Sequence, residues 1–155
     1  LSARQREYLE PRIFQAAMSV GMGDADSYEI DRFGIVAATR IAMRRAVELV
    51  IPAPDVLLVD AMVLDGVGVP CRALVHGDAL SVSIAAASIV AKVHRDRIMG
   101  SLEQEYPGYG LGVHKGYPTR LHLEALGRLG PSPVHRRYFA PVRRVIDVKD
   151  TGGEV

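Results

Sequence analysis

Two aspartates stand where carboxylates could do metal chemistry. Asp60 directly follows the apolar run at residues 56–59, and Asp96 lies near the end of residues 81–99, a stretch of mostly small and apolar residues. Convergent carboxylates form an oxygen-only site suited to Mg²⁺ or Mn²⁺, which keep several waters and bind phosphate oxygens. We therefore expect Asp60 and Asp96 to approach one point and to serve as catalytic and metal-binding residues.

Each aspartate also has an ordinary structural alternative. Asp96 could form a surface ion pair with Lys92, one helical turn earlier, or with the neighbouring arginines. Asp60 could cap a turn at the end of its strand, at even odds with the metal-binding interpretation. Asp65 and Asp78 are typical of turn and cap positions. Spacing alone leaves both interpretations of Asp60 and Asp96 open.

A loop at residues 106–119 carries the candidate substrate contacts. Its sequence, YPGYGLGVHKGYPT, has so many glycines and prolines that a structured loop is predicted. Tyr117 beside Lys115 suits stacking on a sugar or base next to a phosphate, although the ring could equally anchor the loop on the domain. His114 and the cation Arg95 are the other substrate-binding candidates.

The histidines show no metal-ligand spacing along the sequence. We expect three of the histidines to be surface or structural residues: His94, His122 and His135. The arginines at 136, 137, 143 and 144 could contact phosphates, although a solvated basic end is the default interpretation.

A long helix and a sheet must position these side chains. Residues 81–99 predict a helix with no wide solvated face, extending to about residue 105, for which a sheet is the natural floor. Residues 56–59 and 71–75 predict its strands. Ligands of open α/β sheets gather outside the carboxyl ends of the strands, where Asp60 would lie.

The other predicted elements follow from caps and periodicity. A helix over residues 1–15 begins at Ser2 and is interrupted or kinked at Pro11. Residues 16–22 alternate with a period of two, which predicts a short strand. A capping box at Asp26 and Glu29 predicts a helix reaching about Val50. A last helix is predicted from about Thr119 to Leu129.

Composition bounds the class of protein. With 155 residues, 48% of them hydrophobic and 24% charged, the chain predicts one globular domain over residues 1–145, followed by a flexible tail over 146–155. No stretch approaches the length of a membrane span or resembles a signal peptide, so a soluble protein is expected. The single cysteine, Cys71, cannot form an internal disulfide, which favours the cytoplasm.

Charge is distributed unevenly along the chain. Residues 1–80 carry 8 Lys/Arg against 11 Asp/Glu, whereas residues 81–155 carry 11 against 7. A basic C-terminal half suggests a polyanionic partner, although charged residues usually only solvate a surface.

Five motifs together resemble the ribonuclease HII family, the type 2 ribonucleases H, of the bacterial kind. The resemblance covers roughly residues 1–145 and rests on segments whose order and spacing match: SIAAASIVAKVHRDRIM at 83–99, LLVDAM at 57–62, EIDRFGIVAATRIAMRRAV at 29–47, YPGYGLGVHKGYPTRLH at 106–122 and SPVHRRYFAPV at 132–142. The first of these is long and highly specific.

The resemblance implies a ribonuclease-H-like α/β fold, a mixed sheet flanked by helices. It implies an endonuclease that cuts RNA–DNA hybrids and ribonucleotide-containing DNA on the 5′ side of a ribonucleotide, using four acids and two divalent metals, Mg²⁺ or Mn²⁺. We expect the protein to be a monomer. Asp60 and Asp96 match two of these acids, and Tyr117 matches the tyrosine that packs on the sugar. Such an enzyme must read the 2′-hydroxyl, which distinguishes RNA from DNA.

The sequence departs from the family pattern at its N-terminal side. The family's Asp-Glu pair, its Gly-Arg-Gly turn and an Asp-Ser-Lys motif have no counterpart here, and His76 stands where the family usually has lysine. We therefore expect the family's first strands to be absent and the chain alone to be inactive or impaired. The alternatives are a noncatalytic nucleic-acid-binding remnant of the same fold, or another ribonuclease-H-like enzyme such as a resolvase or transposase.

Overall fold

Helices dominate the computed structural model, which describes the backbone of residues 1–151 and the side chains of residues 1–148. In chain order the elements are α1 (Ala3–Ala16), α2 (Ser27–Phe33), α3 (Ile35–Glu48), β1 (Leu57–Asp60), β2 (Cys71–Leu74), α4 (Gly77–Leu80), α5 (Val82–Glu105), α6 (Leu111–His114), α7 (Arg120–Leu129) and α8 (Ala140–Thr151). The predicted α/β class is confirmed. No helix among the described residues is both long and apolar enough to cross a membrane.

The chain divides into two compact units, and one domain over residues 1–145 stays a prediction. Unit 1 consists of Leu1–Ala25 and Val36–His94, and unit 2 consists of Asp26–Ile35 and the chain from Arg95 onward. The candidate residue Asp60 therefore belongs to unit 1, whereas Asp96 belongs to unit 2.

The sheet of unit 1 is parallel. Strands β1 and β2 pair from Leu57 opposite Cys71 to Asp60 opposite Leu74. Both predicted strands are found, each shifted or shortened by one residue. Because the strands are parallel, their carboxyl ends lie at the same edge of the sheet, and that edge carries Asp60.

Capping boxes begin two helices where the sequence predicted them. The Ser2 hydroxyl accepts the backbone N–H of Gln5, and the Gln5 side chain accepts the N–H of Ser2. Asp26 and Glu29 make the same reciprocal pair at the start of α2. Each box satisfies two helix-end donors that would otherwise lack partners. Helix α1 runs through Pro11 to Ala16.

Residues 16–22 do not form the predicted strand. The segment instead lies against α3, where a Cβ at Gly21 would collide with the carbonyl oxygen of Ala46. The Ser19 hydroxyl also accepts the backbone N–H of Ile51 at 3.1 Å. The period-two alternation predicted a strand. Instead, Gly21 allows the segment to pack closely against α3, and Ser19 accepts a hydrogen bond from the chain just after that helix.

The single helix predicted from Asp26 to about Val50 is two helices in the structure. Helix α2 ends at Gly34, whose φ of +80° is a left-handed value that glycine adopts without strain. Helix α3 then ends at Glu48, before Pro52, as the sequence predicted.

Helix α5 matches its predicted span but is less buried than expected. Of its side chains, only Ile84, Val90 and Val93 are buried, and Val82 is 88% exposed. The expectation of a helix with no solvated face is therefore wrong. The small residues that suggested it lie largely at the surface among the described residues.

Unit 2 has its own hydrophobic core. Leu111 of α6, Leu126 of α7 and Val142 of α8 pack there with Tyr109 and Ala125. Helix α7 occupies its predicted span and is capped by the Thr119 hydroxyl, which accepts the N–H of His122. Helix α8 was not predicted. It covers the first part of the predicted tail, residues 146–151, and residues 152–155 lie outside the described residues.

Candidate active site

Asp60 lies exposed at the carboxyl end of β1. Its Oδ1 accepts a hydrogen bond of 2.8 Å from the backbone N–H of Gly77, the first residue of α4. A Cβ at Gly77 would lie 2.6 Å from Ile84 Cδ1, so a larger residue here would require the Ile84 side chain to shift. The bond is the turn contact that the structural alternative predicted, and it also orients the carboxylate at the sheet edge.

Asp96 lies on the later turns of α5 and is half-buried. Its backbone carbonyl accepts a hydrogen bond of 3.1 Å from Nζ of Lys115. Because Asp60 and Asp96 belong to different units, their convergence on one point stays a prediction from the sequence.

The described residues do not form a complete metal site. Among the described side chains, no group of three or more His, Cys, Asp or Glu residues is arranged to hold a metal ion. The exposed Asp60 carboxylate has the hard oxygen chemistry that Mg²⁺ and Mn²⁺ prefer, but a metal held firmly needs further ligands. The described residues therefore include carboxylates of the chemistry that the predicted metals require, but too few of them lie together to form a site.

Three predicted substrate contacts lie together in unit 2. The Tyr117 side chain is 54% exposed, and the Arg95 guanidinium lies 5.4 Å from the centre of its ring. Arg95 Nη2 also donates to the backbone carbonyl of Lys115 at 3.0 Å. The backbone turns sharply here, since Lys115 has a φ of +53° and Gly116 one of +81°. An exposed aromatic ring with a cation beside it and a lysine two residues earlier in the chain can stack on a sugar or base and attract a phosphate.

His114 does not reach the surface, contrary to the expectation that it contacts substrate. Its side chain is buried; Nε2 donates to the carbonyl of Tyr109 at 2.8 Å, and Nδ1 accepts the N–H of Gly116 at 3.1 Å. Both ring nitrogens are therefore used inside the loop. The loop is structured, as the sequence predicted, and its backbone lies close enough to enclose the ring.

His122 and His135 are buried beside His114. The ring of His122 stacks on that of His114, with centroids 4.2 Å apart and planes 14° from parallel. Nε2 of His122 lies 3.1 Å from Nε2 of His135. The sequence predicted that His122 and His135 are surface or structural residues. Both are buried, so they are structural residues. Their separation along the chain carried no signal of the cluster.

Burial lowers the pKa of both of these histidines. Desolvation is the main cause for each, and it lowers the pKa of His135 to about 4, with the neighbouring His122 adding to the effect. Both rings are therefore neutral at neutral pH.

His94 has a partner within unit 1. Its Nε2 lies 2.9 Å from Oδ2 of Asp24, in the segment between α1 and α2. This contact gives His94 a structural partner at a partly exposed position.

A family model for ribonuclease HII matches residues 1–142 of this chain. The chain belongs to the ribonuclease HII family. It is 52% identical over 147 residues to ribonuclease HII of Dehalococcoides mccartyi BAV1, and 51% identical over 146 residues to that of Myxococcus xanthus DK1622. The family resemblance drawn from the sequence is confirmed.

The chain is shorter than these ribonuclease HII relatives. The matches cover 95% of this chain and 69% of the Dehalococcoides protein, but 94% of this chain and 50% of the Myxococcus protein. The chain is also 49% identical over 148 residues to the ribonuclease HII of Desulfitobacterium hafniense Y51. That match covers 96% of this chain and 57% of the Desulfitobacterium protein.

A solved structure supports the fold that the family implies. The crystal structure of ribonuclease H2 from Pyrococcus horikoshii OT3 superposes with a TM-score of 0.70 at 24% identity, over 96% of this chain and 78% of that one. At this identity the likeness shows the fold alone. The ribonuclease-H-like fold predicted from the sequence is thus confirmed, with two parallel strands of its sheet among the described residues.

Proposed function

We propose that this protein is an endonuclease that hydrolyses the phosphodiester on the 5′ side of ribonucleotides, in RNA–DNA hybrids or in ribonucleotide-containing DNA. The products are a 5′ phosphate and a 3′ hydroxyl. The observation that carries the proposal is the ribonuclease HII match over residues 1–142, which spans every candidate site residue. We propose further that the protein acts as a monomer in the cytoplasm.

Tyr117 packs on the sugar at the junction between ribose and deoxyribose in this proposal. Its exposed ring supports such a role, because an aromatic face can stack without reading the identity of a base. Arg95 lies beside the ring and Lys115 is two residues before it in the chain, and both supply positive charge for the neighbouring phosphates.

Asp60 and Asp96 are the proposed metal ligands and catalytic acids. When bound, two Mg²⁺ or Mn²⁺ ions would activate a water and stabilise charge on the leaving 3′ oxygen. Asp60 is supported by its exposure and its place at the carboxyl end of β1. Since the described residues do not complete a metal site, we propose that the 155 residues by themselves cleave poorly.

Nicking of a duplex with one embedded ribonucleotide tests the proposal. The protein is assayed with Mg²⁺ and with Mn²⁺, as the 155-residue chain and together with any segment encoded upstream in its reading frame. We expect a cut on the 5′ side of the ribonucleotide and a loss of at least about 100-fold in Asp60→Asn and Asp96→Asn, as expected when a metal ligand is removed. Asp65→Asn, in the turn after β1, is the matched control and should retain activity.

The alternative is a noncatalytic nucleic-acid binder. Binding to hybrid that survives EDTA, with no cleavage at any metal concentration in any of these forms, would favour the binder. Strong nicking by the 155 residues alone, lost in Asp96→Asn, would instead contradict the proposed impairment of this chain.

A further inference from the structure

The backbone carbonyl of Tyr117 is held by a buried histidine. Nδ1 of His122 lies 3.0 Å from this oxygen, and His122 is only 2% exposed. A carbonyl oxygen can only accept, so Nδ1 must carry the hydrogen. In the neutral ring, Nε2 is then left as an acceptor.

His135 supplies the donor that this acceptor requires. Its Nε2 lies 3.1 Å from Nε2 of His122 and therefore donates to it. On the other side of the ring, Nδ1 of His135 accepts from the Ser132 N–H at 3.1 Å and from the Ser132 hydroxyl at 2.7 Å. The hydrogen bonds thus run in one direction, from Ser132 through His135 and His122 to Tyr117.

His114 holds the residue before Tyr117. It accepts the Gly116 N–H on Nδ1, while Nε2 donates to the carbonyl of Tyr109. Stacking against His122 keeps these two rings together. The N–H of Gly116, the residue before Tyr117, and the carbonyl of Tyr117 itself are therefore both bound by buried imidazoles.

The exposed ring of Tyr117 thus projects from a backbone whose hydrogen-bonding groups are bound by buried histidines. Packing alone would not require the His122 ring to donate to this particular carbonyl. A contact residue whose backbone is already ordered loses less conformational freedom when it binds.

We propose that His122 is a positioning residue for Tyr117: the donor on its Nδ1, supported by His135 and His114, sets the backbone that presents the tyrosine ring to substrate. The effect on substrate binding rests on the proposed function, in which Tyr117 contacts the sugar. The hydrogen-bond network itself can be tested without it.

Two substitutions at one position separate positioning from packing. In His122→Asn the side-chain amide nitrogen takes the place of Nδ1 and keeps the donor to Tyr117. In His122→Gln the amide instead reaches the position of Nε2, towards His135, so the side-chain donor to Tyr117 is lost while the Thr119 N–H still donates to that carbonyl. The two replacement side chains are both neutral amides and differ by one methylene.

Hydrogen exchange of the backbone amides measures the positioning directly. The Gly116, Tyr117 and Thr119 amides report on this turn, and those of β1 serve as the reference. We expect exchange at the turn to be about fivefold to tenfold faster in His122→Gln, the factor for loss of one hydrogen bond, and near wild type in His122→Asn. Equal acceleration in both variants, or none in His122→Gln, would overturn the proposal.

NMR of the imidazole nitrogens in the unsubstituted protein provides a test that needs no variant. We expect the hydrogen on Nδ1 in His122 and on Nε2 in His114 and His135. A hydrogen on Nε2 of His122 would overturn the proposal even if the substituted proteins fail to fold.

Duplex binding in EDTA links the network to substrate. Affinity is compared between a duplex with one ribonucleotide and the all-DNA duplex. We expect the preference to fall several-fold in His122→Gln, and equally in Tyr117→Ala and in the double variant, since both changes act through one ring. An additive loss in the double variant would overturn the link. An unchanged preference in Tyr117→Ala would count against the proposed function, whereas the exchange measurement would still decide the positioning role.

Discussion

The rings of His114 and His122 lie face to face, with centroids 4.2 Å apart. Each ring also binds the backbone beside Tyr117, through the Gly116 N–H and the Tyr117 carbonyl. The packing of a buried pair of rings and the shape of an exposed loop are therefore linked.

Acidification should destabilise the protein through His135. Its pKa is lowered to about 4 in the folded protein, from 6.5 in an unfolded chain. Above pH 6.5 both states are neutral, but below it the unfolded chain binds a proton that the folded protein does not. The free energy of unfolding therefore falls between about pH 6.5 and pH 4.

The expected loss from His135 is about 2 kcal/mol between pH 7 and pH 5. Urea unfolding at these two pH values measures it, and His135→Gln provides the comparison because glutamine has no such proton to bind. We expect a smaller pH dependence in the variant. An identical dependence in both proteins would show that His135 does not titrate as described.

Glu103 should stabilise the loop before α6. Its carboxylate accepts the backbone N–H groups of Gly108, at 3.2 Å, and of Leu111. Glu103→Ala leaves both donors without this partner, and we expect the free energy of unfolding to fall by about 1–3 kcal/mol. Glu124→Ala is the matched control, since its exposed ion pair with Arg120 should contribute under about 1 kcal/mol. Equal losses in the two variants would contradict the prediction.

Gly77→Ala should disturb the setting of Asp60. The new Cβ would lie 2.6 Å from Ile84 Cδ1 and 3.3 Å from Leu74 Cβ, so we expect a loss of about 1–3 kcal/mol in thermal or urea unfolding. Gly127→Ala, within α7, is the control because no described atom would lie within 4 Å of its Cβ. There the helix propensity of alanine should add about 0.5–1 kcal/mol. A neutral Gly77→Ala would show that the site relaxes freely.

Arg95→Lys should weaken substrate binding. Lysine keeps the charge but loses the planar group that reaches both the Tyr117 ring and the Lys115 carbonyl. Arg128→Lys is the matched control, since Arg128 also donates to a backbone carbonyl of unit 2, that of Gly108 at 3.2 Å. Measured by duplex affinity in EDTA, we expect a loss of about threefold to tenfold for Arg95→Lys and little change for Arg128→Lys. Equal losses would argue against a contact at Arg95.

Local signals predicted many helix boundaries correctly. Ser2, Asp26 and Thr119 begin helices because their side-chain oxygens accept amide hydrogens three residues along the chain. The apolar runs that became β1 and β2 were likewise recognised from a few adjacent residues. Each of these features can be recognised from residues that are close together in the sequence.

Predictions failed where a distant part of the chain provided the partner. Residues 16–22 have a strand pattern, yet Gly21 allows close approach to Ala46 of α3. Helix α8, unpredicted, places Val142 in the core of unit 2. His114 was expected to contact substrate, yet it is enclosed by a loop that binds both of its ring nitrogens. In each case the contacts that decide the outcome are invisible to local periodicity.

The sequence by itself determined the family, the α/β class and the identity of the candidate residues Asp60, Asp96 and Tyr117, because these depend on residue types in a fixed order. Only the tertiary structure decided that three histidines spread over residues 114–135 form one buried cluster beneath Tyr117. The physical reason is that hydrogen-bond direction and desolvation arise when folding brings these rings together and removes them from water.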